Sequence, residues 1–232
     1  NPINVLAEMI ASLKDENRSI TIPGFYDDVV IISAEERAKM ADRPFSNDDY
    51  CADLDIAETH GEAGYSLIEQ VSIRPTMDVN GIWGGYTGAG FKTVLPAEAH
   101  AKVSFRLVEG QDPDRIRDAF RAYVRDCLPP DCTVEFSDHG AGPASVMETT
   151  NPVFGSMKDA LTDEWPNAAA FVGSGGSIPI AGYFKTILGM DSILAGFGRD
   201  DDQIHSPNEK YSLESFHKGT RSWARLLERL AQ

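Results

Sequence analysis

The ten residues AHAKVSFRLV, Ala99 to Val108, alternate without a break. Ala101, Val103, Phe105 and Leu107 share one face and His100, Lys102, Ser104 and Arg106 the other, the two-residue period of a strand covered on one side. The period then changes. In DPDRIRDAFRAYVRDCL, from Asp112, a capping aspartate and a proline at the first helical position precede a stripe of Ile116, Ala119, Phe120, Tyr123 and Val124. CTVEFSDHG, Cys132 to Gly140, alternates again. Ahead of all three, NPINVLAEMIASLKDE sets Leu6, Met9, Ile10 and Leu13 at helical spacing behind an Asn1 cap and Pro2. Helix, strand, helix, strand is most of a βαββαβ ferredoxin-like sandwich without its first strand. A chain that opens on Asn1, directly in a helix, is expected to be a piece of a longer protein.

Between the first helix and the strand, from about Asn17 to Gly90, short β-like runs, the charged SAEERAKMADR and turns such as IPGF and GIWGGYTGAG follow no clean period. This region is expected to be an elaborated insertion. GAGPAS, Gly140 to Ser145, is the linker candidate. Beyond it come an Asn-Pro helix in NPVFGSMKDALTDEW, a strand in AAAFV, the glycine turn GSGGS, a helix in IPIAGYFKTIL and a strand in DSILAGFG. A long terminal helix follows, its expected buried stripe Phe216, Thr220, Trp223, Leu227 and Leu230. Strands alternating with helices indicate an α/β layer, although two strands are too few for a sheet of their own.

Composition narrows the function. A net charge of -15 and a pI near 4.6 repel phosphate backbones and anionic lipid, so neither nucleic acid nor membrane is an expected partner. No apolar run approaches the roughly 20 residues that cross a bilayer, and no basic-then-apolar leader opens the sequence, which points to a cytoplasmic location. Cys51, Cys127 and Cys132 form no C-x-x-C pair and are expected to be buried, reduced thiols.

Few residues could carry chemistry. His205, in RDDDQIHSPNEK, follows a strand by a few residues, where open α/β sheets assemble their sites. Its imidazole in an acidic loop is a metal ligand, a general base or an ordinary loop side chain. VGSGGSIP, Val172 to Pro179, either holds an anion on backbone N-H groups at a helix start or is simply a tight turn. Ser174 or Ser177, one of Asp200 to Asp202, and His205 stand in the order of a serine-hydrolase triad, but no G-x-S-x-G elbow exists and the aspartates lie too close to the histidine. Arg106 and Thr93 either grip a carboxylate or are solvated. His60, His100, His139 and His217 lack the spacing of paired ligands.

Taken together, ITIPGFYDDV, GIWGGYTGAGFKTVLPAEAHAKVSFRLV, GSGGSIP and IHSPNEK resemble the carnosinase-type dipeptidases of the co-catalytic zinc peptidase family, which includes aminoacylase, acetylornithine deacetylase and succinyl-diaminopimelate desuccinylase. The resemblance implies an α/β zinc-binding catalytic domain interrupted by a ferredoxin-like lid that makes a homodimer. Residues 1 to 142 would be the lid and 143 to 232 the last portion of the catalytic domain. His205 would be a zinc ligand, and Thr93, Arg106, Gly176 and Ser177 would contact a dipeptide or N-acyl amino acid substrate. Asn208 and Glu209 would support the loop rather than bind metal. The implied reaction is amide hydrolysis by water activated between two zinc ions. The other ligands and the glutamate base belong upstream of Asn1 by this likeness, and Asn151 stands where a carnosinase-like histidine is expected. The leading expectation is therefore a portion of a cytosolic, dimeric zinc dipeptidase that is inactive alone, because one ligand cannot hold two ions. A non-catalytic dimerisation module and, behind it, a serine hydrolase are the alternatives.

Overall fold

The computed structural model describes residues 1–42, 46–174 and 178–231. In chain order its elements are α1 (Pro2–Ser12), α2 (Ala34–Ala41), α3 (Asn47–Asp53), α4 (Leu67–Ser72), β1 (Thr76–Gly84), β2 (Ala99–Arg106), α5 (Pro113–Asp126), α6 (Pro152–Thr162), α7 (Pro179–Leu188) and α8 (Leu213–Leu230). The fold is mixed α/β with one small sheet. The chain divides into two compact units, Asn1–Ser145 with Ser174–Gly182, and Val146–Gly173 with Tyr183–Gln232.

In the first unit, β1 and β2 pair antiparallel. The register sets Met77 opposite Phe105, Val79 opposite Val103, and Ile82 opposite Ala101 across a bulge between Val79 and Gly81. Directly opposite residues share a face; on this inner face Met77, Val103 and Phe105 meet the core, while Val79 and Ile82 are exposed. Thr76 opposite Arg106 and Trp83 opposite His100 form the outer one. Met77 joins Leu13, Ile20, Ile22, Phe25 and Ile116 in the core, with Val103, Phe105, Leu107, Ala119, Phe120 and Tyr123 packed against it. The α5 stripe read from the sequence is therefore the one that faces the sheet. Asp112 caps α5 by accepting the Asp114 N-H at 2.8 Å.

The turn after β2 is fixed by a close backbone approach. Gln111 is buried; its amide donates to the Phe25 carbonyl at 2.7 Å and accepts the Val108 N-H at 3.0 Å. Gly110 has φ +88, and a Cβ there would lie 2.0 Å from the Asp28 carbonyl oxygen. Only glycine fits.

The stretch read as an elaborated insertion holds short helices and a strand. Ser33 and Ser66 open α2 and α4 with capping boxes to Glu36 and Glu69, and β1 lies in the same stretch. Glu69 is buried and takes a bidentate grip from Arg37 at 2.5 and 3.2 Å. Burial alone would raise its carboxyl, but hydrogen bonds from Arg37 and Ser66 outweigh this and hold it below the ordinary glutamate value.

The second unit is built on α6 and α8. Asn151 caps α6, accepting the Val153 N-H at 3.1 Å. Met157, Ala160 and Leu226 form the core, with Leu161, Ile193, Ala195 and Phe197 packed on it. The buried face of α8 is not the expected one: Ser215, Gly219, Ser222 and Leu226 point inward, while Phe216, Trp223, Leu227 and Leu230 are exposed. Small residues win that face because they admit aromatic rings. A Cβ on Gly219 would meet the Phe197 ring at 2.8 Å, Phe197 stacks on Trp165 at 5.9 Å, and Trp165 Nε1 donates to Ser222 Oγ at 3.2 Å.

Three expected strands, in 132–140, 168–172 and 191–198, join no ladder among the described residues. Alternation specifies one covered face, but a strand also needs a neighbour. The segment after α5 runs back along that helix: Phe136 lies beneath Arg121 and Arg125 at 5.3 and 5.2 Å, and Arg121 pairs with Asp138 at 2.6 Å. The thiols also differ from expectation. Cys51 is buried, but Cys127 is exposed and Cys132 half-buried, and all three are free.

Candidate functional site

His205 sits in a loop closed at its neck by one carboxylate. Asp202, 1% exposed, accepts the Arg199 N-H at 2.8 Å and Lys210 Nζ at 3.1 Å, while its carbonyl accepts the Lys210 N-H at 3.0 Å. The Arg199 backbone bond, helped by the Lys210 ammonium, holds the Asp202 carboxyl below its ordinary value against the opposing effect of burial. Arg199 also donates to Ser215 Oγ at 3.2 Å and Glu214 at 2.5 Å, which ties the neck to the first turn of α8. Above this neck two turns follow one another. The Ser206 N-H donates to the Gln203 carbonyl at 2.9 Å and the Glu209 N-H to the Ser206 carbonyl at 3.2 Å. Their third residues, His205 and Asn208, both have φ +64. For a histidine this conformation costs about 1 kcal/mol, and it presents the ring at the loop's apex.

The side chains of Thr93, Arg106 and His205 are exposed, and none has a hydrogen-bond or ion-pair partner among the described residues. For Arg106 this is informative, because Arg37, Arg74, Arg121 and Arg199 are each tied to a carboxylate. Arg106 ends β2 on the outer face beside Ser104 and Lys102, and its planar donor fork is open to an incoming carboxylate. Thr93 lies in the segment joining β1 to β2, at a shallow depression lined by Phe91, Lys92, Thr93 and Val94. Arg106 and Thr93 belong to the first unit and His205 to the second. Gly176 and Ser177 lie outside the described residues.

The acidic cluster before His205 does not orient its ring. Asp202 is committed to Arg199 and Lys210, and Asp201 pairs with Lys210 at 2.8 Å. Asp200 has no side-chain partner, and none of the three aspartates is hydrogen-bonded to the His205 ring among the described residues. Among the described residues no three His, Cys, Asp or Glu side chains are grouped to hold a metal ion. At this loop the described residues supply one exposed imidazole with no grouped ligands beside it, which does not by itself fit a zinc centre. Sequence reading missed the neck: nothing in a DDD run shows which aspartate turns inward, although Lys210 at the far side was a visible counter-charge.

The model of the peptidase dimerisation domain of M20 peptidases matches residues 1–132. The chain is 28% identical over 226 residues to the Cys-Gly metallodipeptidase DUG1 of Candida albicans, covering 95% of this chain and 46% of that protein. It is 24% identical over 242 residues to human Beta-Ala-His dipeptidase, covering 100% of this chain and 46% of that one. Among solved structures, an M20 family metallo-carboxypeptidase from Sulfolobus solfataricus superposes with a TM-score of 0.86 at 28% identity, over 98% of this chain and 52% of that one. The dipeptidase Dug1p of Saccharomyces cerevisiae gives 0.82 at 27%, over 98% and 48%. The chain thus spans about half the length of the curated relatives it matches. No helix of the described residues is long and apolar enough to cross a membrane. With its sheet, the helices on the inner face and the family match all falling within the same 132 residues, the chain belongs to the M20 peptidase dimerisation domain family.

Proposed function

We propose that this chain works as part of a longer, cytosolic, homodimeric zinc hydrolase that cleaves dipeptides or N-acyl amino acids. Residues 1–142 form the lid that pairs two copies, and residues 143–232 form the last portion of the catalytic domain. The observation that carries this reading is the likeness to metallodipeptidases over 95% or more of the chain. Arg106 grips the substrate carboxylate with its open fork, Thr93, Gly176 and Ser177 position the substrate beside it, and His205 gives a neutral imidazole to zinc. In this reading the chain alone turns nothing over, because one imidazole cannot hold two zinc ions against water. The alternative of a purely structural dimerisation module is separated by assay of the longer protein.

The test is hydrolysis of a Cys-Gly or β-Ala-His dipeptide by the longer protein, with Arg106→Met beside it. The expected result is chelator-sensitive cleavage, and a KM for Arg106→Met raised by at least about tenfold, the loss of one charge-assisted bidentate contact. Equal KM values would remove Arg106 from the site, and absence of cleavage of any dipeptide or N-acyl amino acid would favour the module.

A further inference from the structure

Of the eight asparagines in the sequence only Asn80 is followed by glycine, and the fold sets that pair at the irregular point of β1. The register passes from Val79 opposite Val103 to Gly81 opposite Lys102 and leaves no residue across from Asn80. It is the extra residue of a bulge, unpaired in the ladder. Asn80 is exposed, and its side chain has no hydrogen-bond or ion-pair partner among the described residues. Asn1 and Asn151, by contrast, are held as helix caps. Gly81 adds a main-chain nitrogen that no side chain screens. The nearest atoms to a Cβ built on it belong to the flexible stem of Lys102, at 3.8 to 3.9 Å.

We infer that Asn80 is a site of spontaneous covalent modification, in which the Gly81 nitrogen attacks the carbon of the Asn80 side-chain amide. The new nitrogen-carbon bond closes a succinimide ring, the Gly81 nitrogen gives up its proton, and the side-chain amino group leaves as ammonia. Water then opens the ring at either carbonyl, giving aspartate or isoaspartate. The co-reactant is water alone. Both products add a carboxylate to the hairpin, and isoaspartate also places an extra methylene in the main chain of β1. The ladder beyond the bulge has to absorb it. There Trp83 stacks on the His100 ring at 4.9 Å, and a Cβ on Gly84 would lie 3.2 Å from the Ala99 backbone. The change therefore falls on the strand pair that ends in Arg106. It is independent of the proposed hydrolase activity.

Incubation of the purified protein at mildly alkaline pH, folded and in urea, followed by digestion and mass spectrometry, tests it. In the folded protein the peptide holding Asn80 should show the mass gain of a hydroxyl-for-amino exchange sooner than peptides holding Asn17 or Asn167, which are also exposed. Its products should include isoaspartate, detected by methyl transfer from an isoaspartyl methyltransferase, as ring opening requires. Gly81→Ala should slow the gain about tenfold, equivalent to about 1.4 kcal/mol of barrier, because its methyl group crowds the attacking nitrogen. Equal rates at the three asparagines overturn the inference, as does aspartate without isoaspartate. A folded rate below about a tenth of the rate in urea also overturns it, since β1 would then open at Asn80 only by unfolding.

Discussion

Replacing Arg74 by alanine removes the tie between the segment around α4 and the hairpin that follows α1. Arg74 donates to both oxygens of Glu62 at 2.7 and 2.9 Å, and its guanidinium lies over the rings of Tyr65 at 4.2 Å and Tyr26 at 5.0 Å. Glu62 also accepts Ser19 Oγ at 3.1 Å, and Tyr26 Oη accepts the Ile20 N-H at 2.9 Å. The two charged side chains are 10% and 12% exposed. Taking one partner from a nearly buried pair costs about 3–5 kcal/mol, and the ring contacts add about 0.5–1 kcal/mol each. Residual exposure pulls the sum toward its lower end, about 4 kcal/mol, or roughly 10 °C in Tm for a protein of this size. Lysine keeps the charge and loses the fork, so Arg74→Lys should cost about half as much. Urea denaturation of Arg74→Ala, Glu62→Ala and the double variant should give a coupling energy of about 2–3 kcal/mol. A coupling below about 0.5 kcal/mol, or an Arg74→Lys protein as stable as the parent, would refute the reasoning.

Three further outcomes are expected. Leu226→Ala, in the core between α6 and α8, should destabilise the second unit by about 2–5 kcal/mol in denaturant titration, the range for a leucine deleted from a closed core. Asp202→Asn keeps the shape of the loop neck but weakens its bonds to Arg199 and Lys210; amides 203–210 should then exchange roughly tenfold faster by mass spectrometry. Acid should loosen both units through Glu69 and Asp202. Their folded carboxyls lie below ordinary values, so their contribution is complete at neutral pH and is lost as pH falls below about 4, through the folded values. Thermal midpoints between pH 7 and pH 3 check this, and a Glu69→Gln protein should lose less of its stability over that window.

Periodicity made α1, β2, α5 and α6 legible, because each has one covered face and the helices among them a clear cap: Asn1, Asp112 and Asn151 all accept the first free N-H groups of their helices. The region from Asn17 to Gly90 was less legible because its helices are short and polar, and its signal is chemical rather than periodic. Ser33 with Glu36 and Ser66 with Glu69 are S-x-x-E boxes, a signal carried by two residue types at a fixed spacing. The face of α8 could not be read from apolar spacing, since Ser215, Gly219 and Ser222 are buried by ring packing and hydrogen bonds rather than by their own hydrophobicity. Strand pairing was beyond reach for 132–140 and 191–198, because alternation reports a covered face and says nothing of a neighbour. At the candidate site, His205 stood out as a histidine after an expected strand, while the inward turn of Asp202 that holds its loop depends on Lys210 closing from the far side.

The central claim, that the His205 ring is a metal ligand, is tested most directly by metal content. Elemental analysis of the longer protein and its His205→Ala variant, both purified and dialysed against buffer without metal, should show about two zinc ions per chain in the parent and loss of at least one in the variant, with unchanged folding by circular dichroism. Equal zinc in both proteins would contradict the account.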